Sequence, residues 1–267
     1  MNDRRLTPAN GQVAASHLKG EVAAERYTDG EAAQIAQPIV DLCAAPNGPR
    51  DRQLLLGAAV SVYDRQAEWA FVQAKADGYV GYVPQAALTA IKPNTHRVAV
   101  AATHVYASES FKSPDQMHLS FGATVQVLDE RPKMFETAYG FVPKKHLRPL
   151  NRPFADPVTV AQLFFGTPYL WGGNSRLGID CSGLVQAALS ACDVACPGDA
   201  DLQMAQVGTA LADDADLMRG DLIFWKGHVA MMVDAQVMIH ANAHHMATVY
   251  EPFDACLLYT SPSPRDS

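Results

Sequence analysis

Gly178-Ile179-Asp180-Cys181-Ser182-Gly183-Leu184-Val185 joins a polar, glycine-flanked turn to the apolar beginning of a helix. Apolar spacing carries that helix on to Ala195, so Cys181 stands at a helix N-terminus. Unpaired backbone N–H groups and the positive end of the helix dipole favour thiolate over thiol. This position therefore predicts a Cys181 pKa below the ordinary thiol value of about 8.5. Upstream, the apolar residues from Val158 to Phe165 recur at helical spacing, and Gly166-Thr167-Pro168 stops that helix. Downstream, Leu222 to Trp225, Val229 to Val233 and Val237 to His240 read as strands. Helices followed by strands predict an α+β domain with an antiparallel sheet.

The N-terminal half carries an internal repeat. Leu56-Gly57-Ala58-Ala59-Val60-Ser61-Val62 lies over Phe121-Gly122-Ala123-Thr124-Val125-Gln126-Val127, each a short alternating strand after a glycine. Gly81-Tyr82-Val83-Pro84 with Leu88 matches Gly140-Phe141-Val142-Pro143 with Leu147 in the same order. Short strands repeated with turn residues between them predict two small β-barrels, over 36–92 and 96–150, behind a partly helical or wrapped arm over 1–35. The proline-rich stretch from Asn151 to Pro157 reads as a linker, and the third domain spans 157–256. Residues 257–267, LYTSPSPRDS preceded by Leu257, lose all periodicity and read as a truncated or foreign end.

Bulk properties exclude several classes. A chain of 267 residues with 48% hydrophobic content can bury a substantial core, which excludes overall disorder. The net charge of -7, with no basic run, argues against nucleic acid as a partner. No window reaches the roughly 18 apolar residues of a membrane span. Residues 1–11 lack the apolar core of a secretory signal, which makes the cytoplasm the expected location. Five cysteines, Cys43, Cys181, Cys192, Cys196 and Cys256, form no regular disulfide framework and fit a reducing compartment. Cys192 and Cys196 lack the second pair or spaced histidine of a zinc site, so no metal or other cofactor is expected.

A nucleophilic thiol needs a proton shuttle. Gly227-His228-Val229-Ala230-Met231 places a histidine at the mouth of an apolar strand, and Ile239-His240-Ala241-Asn242 follows twelve positions later. If both strands neighbour one another in one sheet, His240 can lie beside His228 and hold its ring in the correct tautomer. Taken singly, a cysteine near a helix start is more often an inert core residue, and a histidine an ordinary hydrogen-bonding one. Asp221 reads as a turn residue ahead of its strand, and His244 and His245 as part of a surface turn. Gly172, Gly173 and Gly183 serve tight turning and close packing, because the GxxxxGK spacing of a phosphate loop is absent.

The blocks YLWGG, DCSGLV, RGDLIFW, HVAMMV and IHAN, in that order over residues 157–254, resemble the NlpC/p60 family of papain-like cell-wall cysteine peptidases. The two repeats ahead of them resemble, more loosely, bacterial SH3-like domains. The family resemblance implies a papain-like α+β catalytic domain in which Cys181 attacks the carbonyl, His228 shuttles the proton and His240 orients His228. It further implies that Tyr169 helps the Cys181 backbone N–H bind the oxyanion, that Trp171 lines the substrate site, and that Asp180 and Ser182 contact the free ammonium of an N-terminal L-alanine. Relatives with SH3-like barrels close the pocket with a barrel residue, for which Glu68, Tyr79 and Tyr82 are the candidates.

The activity implied is hydrolysis of the γ-D-glutamyl–diamino acid bond in peptidoglycan-derived peptides during cell-wall recycling, by a monomer. Two alternatives stand beside it. One is an exported hydrolase acting on polymeric wall by a non-Sec route; the other is a peptidoglycan-binding protein with a weak or dead catalytic domain.

Overall fold

The computed structural model describes residues 3–212 and 215–254, and the chain divides into two compact units, Met1–Arg152 and Pro153–Ser267. Cys256 and the expected foreign end at 257–267 lie outside the described residues.

In the first unit, β1 (Val13–Ala15) and β2 (Arg26–Thr28) pair in parallel, with a single 3-10 turn at Ser16–Leu18 between them. The segment is wrapped rather than helical: Val13, Ala15 and Leu18 are buried with Tyr63, Phe71 and Val80. There follow β3 (Glu31–Ile35), β4 (Ile39–Cys43), β5 (Arg50–Leu55), β6 (Ala59–Gln66), β7 (Trp69–Ala74), β8 (Val80–Pro84) and β9 (Leu88–Ala90). They form one sheet in the order β5-β4-β8-β7-β6-β3-β9. β3, which the sequence reading assigned to the arm, is therefore a sheet strand, hydrogen-bonded between β6 and β9. Its residues Glu31-Ala32-Ala33, of types depleted in strands, carry little strand signal, and pairing on both sides supplies what propensity does not.

The second half of the unit contains β10 (His96–Val98), β11 (Ala102–Tyr106), β12 (Asp115–Ser120), β13 (Thr124–Val125), β14 (Val127–Glu130), β15 (Met134–Thr137), β16 (Gly140–Pro143) and β17 (Leu147–Pro149). These run as β12-β11-β16-β15-β14 and β13-β10-β17. With β13 and β14 standing where β6 stands, interrupted at Gln126, the strand order reproduces that of the first sheet. Each copy keeps its own core, Val60, Val72 and Val83 in one, Val98, Val105, Val125 and Val142 in the other. The paired glycines of the repeat have a backbone reason: Gly57 and Gly122 sit at φ +81° and +85°, a region L side chains rarely adopt.

The second unit opens with α1 (Pro157–Gln162), whose N-cap Asp156 accepts the N–H groups of Val158 and Thr159. A short hairpin, β18 (Asn174–Ser175) and β19 (Gly178–Ile179), leads into α2 (Cys181–Ala191). α2 stops before the expected Ala195, because Asp193 turns to φ +61° and Val194 folds its N–H back to the Leu189 carbonyl. α3 (Ala200–Gln206) was not foreseen. An antiparallel sheet follows, β20 (Leu222–Trp225), β21 (His228–Met232), β22 (Val237–Asn242) and β23 (Ala247–Pro252), paired in chain order with α2 packed on β21 and β22. This is the expected α+β arrangement, with β23 as an additional edge strand. No helix among the described residues is long and apolar enough to cross a membrane.

Candidate active site

Cys181 is the first residue of α2 and is only 7% exposed. Asp180 caps that helix: one carboxylate oxygen accepts the Gly183 N–H at 2.7 Å and the Ser182 hydroxyl at 3.1 Å, the other accepts the Gly172 N–H at 2.9 Å. The backbone reciprocates, with the Asp180 N–H donating to the Gly173 carbonyl. One carboxylate thus ties the Trp171-Gly172-Gly173 loop to the start of the nucleophile helix. Gly183 is needed there, because a Cβ would come within 2.5 Å of the Gly173 carbonyl oxygen.

α2, which begins at Cys181, packs on β21, the strand that begins at His228. The expected depression of the thiol pKa is not what the structure shows. Burial, with the Asp180 carboxylate adding to it, pushes Cys181 up to about 12, and nearby backbone N–H dipoles only partly offset this. Burial likewise holds His228 down to about 4. Both shifts favour the neutral forms, thiol and imidazole. The helix end favours thiolate, but desolvation is the larger effect here.

β21 and β22 are paired antiparallel through Met231–Ile239 and Met232–Met238. This register brings His228 Nε2 to 2.8 Å from His240 Nδ1, with the rings edge to face. His240 is 1% exposed. Trp225, opposite His228 on β20, lies against the His228 ring at 5.6 Å between centroids and limits its rotation. With Nε2 committed to His240, Nδ1 is the His228 nitrogen available to exchange a proton with the thiol.

Two further residues complete the polar line, and the sequence reading gave neither a role. His240 Nε2 is 2.6 Å from Glu251 Oε2, and Asn242 Nδ2 is 3.2 Å from the same oxygen. Glu251 lies on β23, where His240 pairs with Val249, so the carboxylate reaches His240 from two residues along the same face. The alternation of Ala247 to Pro252 was the available signal. The expected surface turn at His244 and His245 is present, and His245 also reaches Glu251, at 3.1 Å.

Residues 166–255 match the NlpC/P60 family, and residues 42–88 match the bacterial dipeptidyl-peptidase SH3 domain. The chain is 30% identical over 227 residues to a Bacillus cereus protein named gamma-D-glutamyl-L-lysine dipeptidyl-peptidase, spanning 72% of this chain and 67% of the relative. A Bacillus subtilis protein of the same name is 30% identical over 215 residues, 71% of each chain.

The chain belongs to the NlpC/P60 family. A crystal structure of an NlpC/P60 family protein from Bacillus cereus shares the fold, with a TM-score of 0.73 at 23% identity, covering 83% of this chain and 94% of that one. As an NlpC/P60 protein the chain is a cysteine peptidase.

The other candidate residues of this NlpC/P60 chain fall into two groups. Tyr169 is bridged to Ile179 and donates its backbone N–H to Met246, so it is tethered to the approach to Cys181. Trp171 is 69% exposed on the loop that Asp180 holds, and Ser182 is buried with its hydroxyl turned to Asp180. Glu68, Tyr79 and Tyr82 belong to the first unit. Glu68 is exposed in the turn between β6 and β7. Tyr79 corrects an expectation: at 2% exposure it is a core residue, packed under Arg52, whose guanidinium lies 5.0 Å from its ring. Tyr82 is partly exposed, accepts a hydrogen bond from Asn10 and lines a cavity of about 180 Å³ with Arg4 and Phe71.

Among the described residues no group of three His, Cys, Asp or Glu side chains could hold a metal ion, and no disulfide joins Cys43, Cys181, Cys192 or Cys196.

Proposed function

We propose that this peptidase hydrolyses the γ-D-glutamyl–diamino acid bond of peptidoglycan stem peptides and prefers peptides with a free N-terminal L-alanine. The observation that carries the reading is the His228–His240 pair, Nε2 to Nδ1 at 2.8 Å, on the sheet against which the helix begun by Cys181 packs. Its support from relatives is the name shared by the two Bacillus proteins.

In this reading the Cys181 thiol passes its proton to His228 Nδ1 as the sulfur attacks the γ-carbonyl carbon. The negative charge moves to the carbonyl oxygen, where the Cys181 backbone N–H and the Tyr169 hydroxyl receive it, each such donor being worth roughly 3 kcal/mol of barrier. Imidazolium then protonates the departing amine, leaving a thioester. Water, deprotonated by His228, attacks the thioester and restores the thiol. The neutral resting pair suits this sequence, because charge separates only while substrate is present to use it. Asp180 supplies the anion for the substrate ammonium while still capping α2, with Ser182 beside it. We also infer that both halves of the first unit are SH3-like barrels, on the strength of their common strand order.

The test is turnover of L-Ala-γ-D-Glu-diaminopimelate and L-Ala-γ-D-Glu-L-Lys against their N-acetylated forms, with Cys181→Ala as control. Cleavage at the γ-glutamyl bond, strong selection for the free amine and loss of turnover in the variant are expected. Undiminished turnover in Cys181→Ala overturns the mechanism, and equal cleavage of free and acetylated peptides overturns the amine requirement.

A further inference from the structure

We propose that Glu251 is a positioning residue of this peptidase: its carboxylate sets the tautomer of His240, and through it leaves His228 with the lone pair that must take the thiol proton. The inference rests on the reading of Cys181 as nucleophile and His228 as base, and adds a fourth group to that line.

The argument is one of donors and acceptors. A neutral imidazole has one N–H and one lone pair. For His228 to accept the Cys181 proton on Nδ1, its own proton must sit on Nε2 and point at His240 Nδ1, 2.8 Å away. His240 Nδ1 must then be an acceptor, which places the His240 proton on Nε2. That nitrogen faces two groups, Glu251 Oε2 at 2.6 Å and Asn242 Nδ2 at 2.8 Å. They ask for opposite tautomers. A carboxylate accepts and requires N–H at Nε2, whereas an amide N–H donates and would require a lone pair there. The amide preference, passed along the line, would put a proton on His228 Nδ1 and block the base.

The surroundings decide in favour of the carboxylate. Asn242 cannot be turned over to relieve the conflict, because its Oδ1 accepts the His245 backbone N–H at 2.7 Å. Its Nδ2 has another acceptor, the same Glu251 oxygen at 3.2 Å. Glu251 Oε1 is engaged by His245 Nε2 at 3.1 Å. The titratable groups facing Glu251 are thus His240 from β22 and His245 from the turn that follows it, with His228 of β21 beyond His240. Hydrogen bonds from His245 and His240 outweigh the burial of the carboxyl and hold it below the usual glutamate range, so it is ionised at neutral pH. Two acceptors do not sit 2.6 Å apart, and the proton at His240 Nε2 follows. The same negative charge favours imidazolium on His228 while the reaction proceeds.

The test combines a measurement on the unaltered chain with two variants. Nitrogen-15 spectra of histidine-labelled protein at neutral pH are expected to show His240 neutral with its proton on Nε2; a proton on Nδ1 overturns the proposal whatever the variants do. In Glu251→Gln, kcat is expected to fall by about 10- to 100-fold with KM nearly unchanged, and Glu251→Asp to recover part of the loss. The acid limb of the kcat/KM profile, set in the free enzyme by loss of the His228 proton, is expected to move to lower pH in Glu251→Gln, since the imidazolium loses its anionic support; a merely structural defect would lower activity without moving that limb. Folded Glu251→Gln with kcat within about twofold of the parent and an unmoved limb also overturns the proposal. Loss of the Glu251 effect leaves the Cys181–His228 reading standing; that reading fails only if Cys181→Ala retains turnover.

Discussion

Asp180 accepts the Gly183 backbone N–H at 2.7 Å while its second oxygen holds the Gly172 N–H at 2.9 Å. The residue before the nucleophile is therefore both a helix cap and a loop clamp, and in the proposed reaction it is also the anion for the substrate amine. Substitution separates these roles. Asp180→Ala removes the cap and is expected to cost about 1 kcal/mol of stability together with most activity. Asp180→Asn keeps one acceptor for Gly183 but no charge. It should stay folded while discrimination between free and N-acetylated peptides, read as the ratio of kcat/KM, collapses. Full discrimination in a folded Asp180→Asn enzyme would rule out the carboxylate as the amine contact.

Burial of His228 makes stability depend on pH in a defined direction. Its folded pKa is depressed from 6.5 to about 4, so the unfolded chain binds a proton that the native state refuses between those values. Stability from this group is complete above the unfolded value, is lost as pH falls from 6.5 to about 4, and changes no further below that. His240, shifted down by the same cause, adds in the same sense. Melting temperature should decline across this window, and His228→Gln should show a shallower decline. An identical slope in parent and variant would contradict the buried neutral imidazole.

Close packing at Gly183 gives a steric prediction. An added methyl would meet the Gly173 carbonyl oxygen at 2.5 Å and Asp180 Oδ1 at 3.0 Å, and backbone cannot yield as a flexible side chain can. Gly183→Ala should lose about 1–3 kcal/mol and displace the loop that Asp180 clamps, lowering kcat/KM as well. Thermal unfolding and turnover check both, and an unchanged melting temperature would mean that the loop moves freely.

In the first unit, Arg52 and Asp77 form a buried ion pair at 2.7 Å, with side chains 7% and 5% exposed. Removing one partner leaves an unmatched charge away from water, at a cost of about 3–5 kcal/mol, whereas removing both is far milder. Asp77→Leu should therefore destabilise the protein strongly, and the double change with Arg52→Met should recover much of the loss. Chemical denaturation of the two variants measures the difference, and additive losses would contradict the pairing.

Local pattern carried a large part of this protein. Alternation and helical spacing located α2 and three of the four strands of the catalytic sheet, the five ordered blocks identified the peptidase family, and the two glycine-led segments exposed a repeat whose strand order recurs in both copies. These readings work because side-chain periodicity and positive-φ glycines are properties of short stretches of chain. β3 escaped them, since alanine-rich strands are made by their neighbours rather than by their own propensity.

What the amino-acid order alone determined is which residues could do chemistry: a cysteine at a helix start and two histidines on successive apolar strands. Their protonation could not be read there. Desolvation depends on what packs around a group, and at Cys181 it works against the expected thiolate. The role of Glu251 was equally invisible along the chain, because only the pairing of β22 with β23 carries a carboxylate eleven residues away to within 2.6 Å of His240.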